Sequence, residues 1–294
     1  MRRFEQLAAS LEGLTKLVVE RLGLVEEGEV EAILATLRRL YEAVREPPSL
    51  VYVVLASSRS LFNLFMSSIH LNYEVASTPG FEGFEAAHDA YTGVPRLALC
   101  LEELRKLPSR AVDGVVLHEA AHTVLHGSLD SYLPASGALR AAEALDPRLS
   151  LELTYIAASS VKDWEATELL VNLGFREEAK AYALHVLSKR GGLEAEWRMA
   201  VEAGVPLLHL AELLKPLCCA SPLLSDEVVA GSCDAYLAHL PASASKALRE
   251  LVEKPSWMRG RGLWGRVEAL LKCLAELKGL IEAGGASPPQ PPSP

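Results

Sequence analysis

The chain predicts a mainly α fold of the α+β kind, with a small strand content at about residues 50–101 and a helical half after it. Three observations carry this expectation. Apolar residues recur at helical spacing along most of the 294 residues. Short β-branched or apolar runs that suit buried strands occur at 51–55 and 95–101. Hydrophobic residues make up 50% of the chain, enough for a large core in one or two domains.

The elements follow in order. Phe4, Leu7, Leu11, Leu14, Leu17, Val18 and Leu22 lie at helical spacing, so a first helix is expected over 3–22, stopped by Gly23. A second amphipathic helix, 29–45, ends at Pro47-Pro48. Val51-Tyr52-Val53-Val54-Leu55 is a buried strand, and 60–69 is helical. Pro79-Gly80 and Gly83 mark 77–93 as loop-rich. Pro95 to Leu101 is a short apolar strand, expected at a sheet edge where an extended peptide could add. Pro108 and Ser109 introduce a helix over 110–126, with Gly127 as its cap. Further helices are expected at 136–145, 149–173, 176–189, 193–203, 206–217, 226–240, 243–253 and 262–283. The domain plan is a metal-binding domain with N-terminal helices at 1–175, a helical region at 176–284, and a proline-rich disordered tail at 285–294.

Composition excludes several classes. The net charge of −9 and the lack of a basic run with interleaved aromatics argue against nucleic-acid binding. The N-terminus has no apolar core of a secretory signal, and the most apolar stretch, 50–71, is broken by Arg59, Asn63 and several serines. No membrane association is expected, and the expected location is cytoplasmic. Asn63, Asn72, Asn172, Gln6 and Gln290 are the only side-chain amides, a depletion associated with thermophiles. That bears on the five cysteines, because intracellular proteins of hyperthermophiles can carry disulfides. A pair among Cys218, Cys219 and Cys233 and a set of free buried thiols are both left open; no C-x-x-C knuckle occurs.

The chemistry concentrates in His118-Glu119-Ala120-Ala121-His122, an H-E-x-x-H sequence within the helix expected at 110–126. Residues four apart lie one turn along the same helical face, so two imidazoles can address one ion. The glutamate is rotated to the edge of that face, where it can reach a water on the metal without ligating it. Zn2+ is the expected ion, with His118 and His122 as ligands and Glu119 as general base of a hydrolytic reaction. The bland alternative is a buried helix that happens to carry two histidines. His126 lies about 12 Å along the axis from His118 and is expected behind the ligands or at the helix end. Leu125 and Ser128 stand where a three-histidine pattern needs Gly and His, so that class is excluded.

A third ligand is therefore expected from a downstream carboxylate. Asp163 is the first candidate, with Glu165 and Glu143 as alternatives. On a helical wheel Asp163 sits roughly 60° from the apolar centre of its helix and Glu165 roughly 100°. Glu143 lies near the spacing of thermolysin-like enzymes, on a short helix ended by Asp146-Pro147.

His118-Glu119-Ala120-Ala121-His122 followed by Asp163-Trp164-Glu165-Ala166-Thr167 resembles the zincin metallopeptidases of the gluzincin type. In compact members, the minigluzincins, the second helix reads roughly E-x-x-A-D or E-x-x-A-N. That register puts Asp163 at the ligand position and Thr167 behind it. The row His118, His122, His126 is also similar to that of small bacterial zincins of the ImmA/IrrE kind. The resemblance covers about 95–175 and departs from the pattern in Asp for Glu and in Thr for Asp or Asn. It implies a zincin-like core, a zinc-dependent metallopeptidase and a peptide or protein substrate. Tyr155, Tyr182 and His185 are the candidate oxyanion donors. The alternative function is a non-catalytic zincin scaffold, whose metal site is structural or vacant and whose helical C-terminal half binds a protein partner. His185, His209 and His239 stand singly in helical patterns and read as packed or surface residues. Nothing in the sequence fixes His70 or His88 at a cleft.

Overall fold

Residues 16–22 form a strand, not the end of a helix, and this correction sets the fold. The structure is a computed structural model that describes residues 8–9, 15–72 and 85–283. The front of the expected first helix and the proline-rich tail lie outside these residues. The sheet is built from β1 (Ala8–Ala9), β2 (Lys16–Leu22), β3 (Leu50–Ala56), β4 (Ala86–Asp89) and β5 (Arg96–Cys100), in the order β1-β2-β3-β5-β4. Leu17, Val18 and Leu22 satisfy a helical spacing, but Leu17 and Val19 are the buried pair, as a period of two requires. β2 runs parallel to β3, with Leu17 opposite Val51 and Val19 opposite Val53. Non-local pairing to a fully apolar partner has overridden the local pattern.

Two further strand expectations are corrected. The stretch expected as loop at 77–93 contains β4 in its described part. β5 is not an edge: it pairs parallel with β3 on one side and antiparallel with β4 on the other. Every residue of β5 is buried, the mark of an internal strand covered on both faces. The edge beside it is β4.

By contacts, the chain groups into two units. The first takes residues 1–133 and 166–182, and holds the sheet. Helix α1 (Glu27–Ala43) links β2 to β3, and α2 (Arg59–Asn72) follows β3. Phe62 and Met66 of α2 pack on Val54, Ala56, Ala98 and Cys100. A short helix, α3 (Leu101–Leu104), leads to α4 (Ser109–Leu125), which packs against α1, β4 and β5. Two hydrogen bonds tie α1 to α4, Thr36 Oγ1 to Asp113 at 2.8 Å and Tyr41 Oη with Thr123 Oγ1 at 2.8 Å. Gly114 permits a further close approach, because a Cβ there would stand 2.4 Å from the Glu178 carbonyl oxygen.

The second unit takes 134–165 and 183–294. Its helices are α5 (Ser136–Leu145), most of α6 (Ser150–Asn172), the end of α7 (Arg176–Ser188), α8 (Leu193–Glu202), α9 (Pro206–Ala220), α10 (Glu227–Leu237), α11 (Ala242–Glu253) and α12 (Gly262–Ala283). α5 packs on α12, and Lys278 Nζ caps the C-terminus of α5 through the Leu145 carbonyl at 2.8 Å. Asp226 caps α10 by accepting from the Val228 and Val229 amides. Trp164 and Trp257 meet edge to face, and Trp164 Nε1 donates to Ser221 Oγ at 3.2 Å. All five cysteines are free, so no pair forms among Cys218, Cys219 and Cys233. Burial raises the thiol pKa of each of Cys218 and Cys233, which suits packed residues. The fold is mainly helical with a small strand content, as expected. Among the described residues no helix is long and apolar enough to cross a membrane.

One buried ion pair fixes the edge strand. Asp89 and Arg96 stand opposite each other across β4 and β5, are 5% and 6% exposed, and form a fork of 2.7 and 2.8 Å bonds. The Arg96 guanidinium also lies 5.4 Å from the centre of the Phe65 ring. Arg96→Ala leaves Asp89 buried without its partner and should cost about 3–5 kcal/mol. Urea unfolding checks this, and a loss below 1 kcal/mol contradicts it.

Candidate metal centre

The centre is carried by α4, a helix covered on every side through its middle. Gly114 to Thr123 are all buried, including His118, Glu119 and His122 at 1%, 7% and 1% exposure. The observed limits, Ser109–Leu125, match the expected 110–126 within a residue. Pro108 precedes the first turn, where a missing N–H costs nothing. The helix closes at His126, whose amide donates to the His122 carbonyl at 2.7 Å. Gly127 is required by space and not by a left-handed backbone: a Cβ there would lie 2.2 Å from the Thr123 carbonyl oxygen and 3.1 Å from Pro95 Cγ.

The two predicted ligands converge. His118 Nε2 and His122 Nε2 are 3.1 Å apart, with the rings nearly perpendicular at 82°. Two nitrogens at ~2.0–2.1 Å from one zinc, separated by a tetrahedral angle, stand about 3.3–3.4 Å apart. The donor types and their separation therefore fit that ion.

His126 stands beside His122 at the end of α4. Its Nδ1 is 3.1 Å from His122 Nδ1, on the far side of that ring from His118. A proton on His122 Nδ1, held by His126, leaves the Nε2 lone pair facing His118.

His88 is the residue that sequence reasoning missed. From β4 its ring stacks on His122 at 3.8 Å and 11°, and its Nδ1 lies 2.7 Å from Glu119 Oε2. The ligand atoms of His88, Glu119 and His122 all lie within 4.8 Å of one another. The neighbouring Asp89–Arg96 fork holds the strand that carries it. The one usable signal was His88-Asp89 set seven residues before an arginine in an apolar run.

Of the oxyanion candidates, Tyr182 packs on His118 with ring centres 4.3 Å apart. Tyr155 is 59% exposed on α6, and His185 lies on the later part of α7, in the second unit.

The three candidate carboxylates all belong to the second unit and differ there. Asp163 is 6% exposed. Glu165 is engaged by the Arg266 guanidinium, and Glu143 is exposed on α5. Beside Asp163, burial pushes the Lys162 ammonium down to about 8, opposed by the charges of Asp163 and Glu165. Thr167, one turn on, is buried.

No family model, curated protein or solved structure matches the chain.

Removing the group behind His122 tests whether it orients a ligand. His126→Ala should lower zinc affinity about 10–100-fold while leaving the fold intact. Competition with a chromogenic chelator measures it, and unchanged affinity contradicts the assignment.

Proposed function

We propose that the protein is a zinc-dependent metallopeptidase, with His118, His122 and Asp163 as ligands and Glu119 as general base. One observation carries this: two buried imidazoles direct their Nε2 atoms at each other 3.1 Å apart, on a helix whose next residue after His118 is a buried glutamate. Asp163 is the third ligand in this proposal because the alternatives are weaker. A carboxylate held by Arg266 would have to leave that pair, and Glu143 faces solvent.

When bound, zinc supplies a Lewis acid that polarises a carbonyl and acidifies a water. The protein's own groups do the rest. Glu119 accepts a proton on a carboxylate oxygen and returns it to the leaving amine. His88, hydrogen-bonded to Oε2, holds the carboxylate in one orientation and leaves Oε1 as the oxygen for proton transfer. Tyr182, packed on His118, is the candidate donor to the developing oxyanion. Burial of the pair of histidines keeps competing water away from the ligand nitrogens. An extended substrate pairing with backbone would use β4, the edge next to the centre, in place of the strand expected from sequence.

Glu119→Gln should retain zinc and lose hydrolysis by at least about a hundredfold. His118→Ala and Asp163→Asn should lose the zinc bound at this centre, whereas Glu165→Gln and Glu143→Gln should keep it. Zinc content and turnover of a peptide library measure both arms. Equal turnover by Glu119→Gln contradicts the mechanism. Zinc retained with no cleavage of any peptide favours the non-catalytic scaffold.

A further inference from the structure

His88 joins the proposed general base to the open edge of the sheet. Its side chain serves the base. Nδ1 lies 2.7 Å from Glu119 Oε2, and an ionised carboxylate only accepts, so Nδ1 donates. Neither side chain has another hydrogen-bond partner among the described residues. The terminal torsion of a glutamate is broad and two-fold, so its own chain does not fix which way the carboxylate turns. His88 does, and its ring lies flat against His122, 3.8 Å away and 11° from parallel.

Its main chain serves the edge. The Cys100 amide donates to the Glu85 carbonyl at 2.8 Å, which sets the ladder of β4 on β5. Opposed residues of an antiparallel pair alternate between bonded and non-bonded. Glu85, Ala87 and Asp89 therefore turn their N–H and C=O groups towards Cys100, Ala98 and Arg96. Ala86 and His88 turn theirs to the other side, where no described strand lies. The Asp89–Arg96 fork pins the next residue, but no described strand bonds the main chain of His88 itself. An extended peptide added to β4 would supply those bonds, at the very residue that orients the base.

We propose that His88 is a positioning residue for Glu119 that engages fully only when a peptide lies along β4. Pairing with the His88 main chain fixes the imidazole, and the imidazole fixes the carboxylate for proton transfer at Oε1. The centre is built for extended peptide segments long enough to pair with both Ala86 and His88. It works poorly on a short amide that spans the scissile bond alone. This rests on the peptidase reading and gives it a substrate class. The device shows as a gain in kcat with substrate length, because contacts remote from the reacting bond go into placing the base. A misplacement of about 1 Å can cost a hundredfold in rate.

The test takes the best-cleaved member of an octapeptide library and the blocked dipeptide around its scissile bond, with the zinc-loaded full-length protein. The parent should turn over the longer substrate with a kcat at least about tenfold higher. His88→Ala should keep its zinc, lose that gain in kcat, and still show the lower KM of the longer peptide. His88→Asn carries an amide nitrogen the same number of bonds from the backbone as Nδ1, and should recover most of the gain. Circular dichroism confirms that each variant folds. A kcat independent of length in the parent, a gain undiminished in His88→Ala, or a gain lost equally in both variants overturns the role of His88 and leaves the peptidase reading standing. A zinc-loaded parent that cleaves no library member overturns the peptidase reading, and this proposal with it.

Discussion

The approach of His118 Nε2 to His122 Nε2 is the constraint on which the first unit depends. Two imidazole nitrogens at 3.1 Å inside a protein must either share a proton or share a cation. Both rings are almost fully buried, so water cannot relieve them. The polar groups around them are arranged to hold this geometry. His126 faces the outer nitrogen of His122, and His88 stacks on its ring. Tyr41 and Thr123 bond one turn away, and Thr36 bonds Asp113 near the start of the helix. A helix covered on every side can carry such a cluster only if each side contributes a partner.

The sheet serves the same cluster through one strand. β4 is four residues long and lies at an edge, where a strand of Ala-Ala-His-Asp has little to hold it. The buried Asp89–Arg96 fork supplies the missing hold, directly opposite across the ladder. His88 is the residue before Asp89, so the fork fixes the imidazole that meets Glu119. Desolvating this pair is expensive, which makes it poor evidence for added stability and good evidence for a fixed register.

Much of this was legible along the chain, and the rest was not, for physical reasons. The limits of α4 and α5 follow from proline and from apolar spacing, which are local signals. The inward aim of Asp163 follows from the helical period, and the structure buries it. β2 was hidden because Leu17, Val18 and Leu22 fit the helical period while Leu17 and Val19 fit the period of two, and only its partner β3 decides between them. The interior place of β5 was hidden because β4 lay in a stretch expected as loop and its other partner, β3, is distant in sequence. His88 and His239 looked like isolated histidines because their partners lie 31 and 30 residues away. The Glu165–Arg266 pair spans 101 residues and could not be inferred from a wheel. The grouping of 166–182 with the first 133 residues is likewise a matter of contacts, which no single boundary in the sequence expresses.

Diffraction from zinc-grown crystals at the zinc absorption edge tests the central claim most directly. The expected result is an anomalous peak bonded to His118 Nε2 and His122 Nε2 at ~2.0–2.1 Å, with Asp163 as the carboxylate ligand and Glu119 unligated. No peak between these nitrogens in zinc-saturated crystals, with the two rings still hydrogen-bonded to each other, contradicts it.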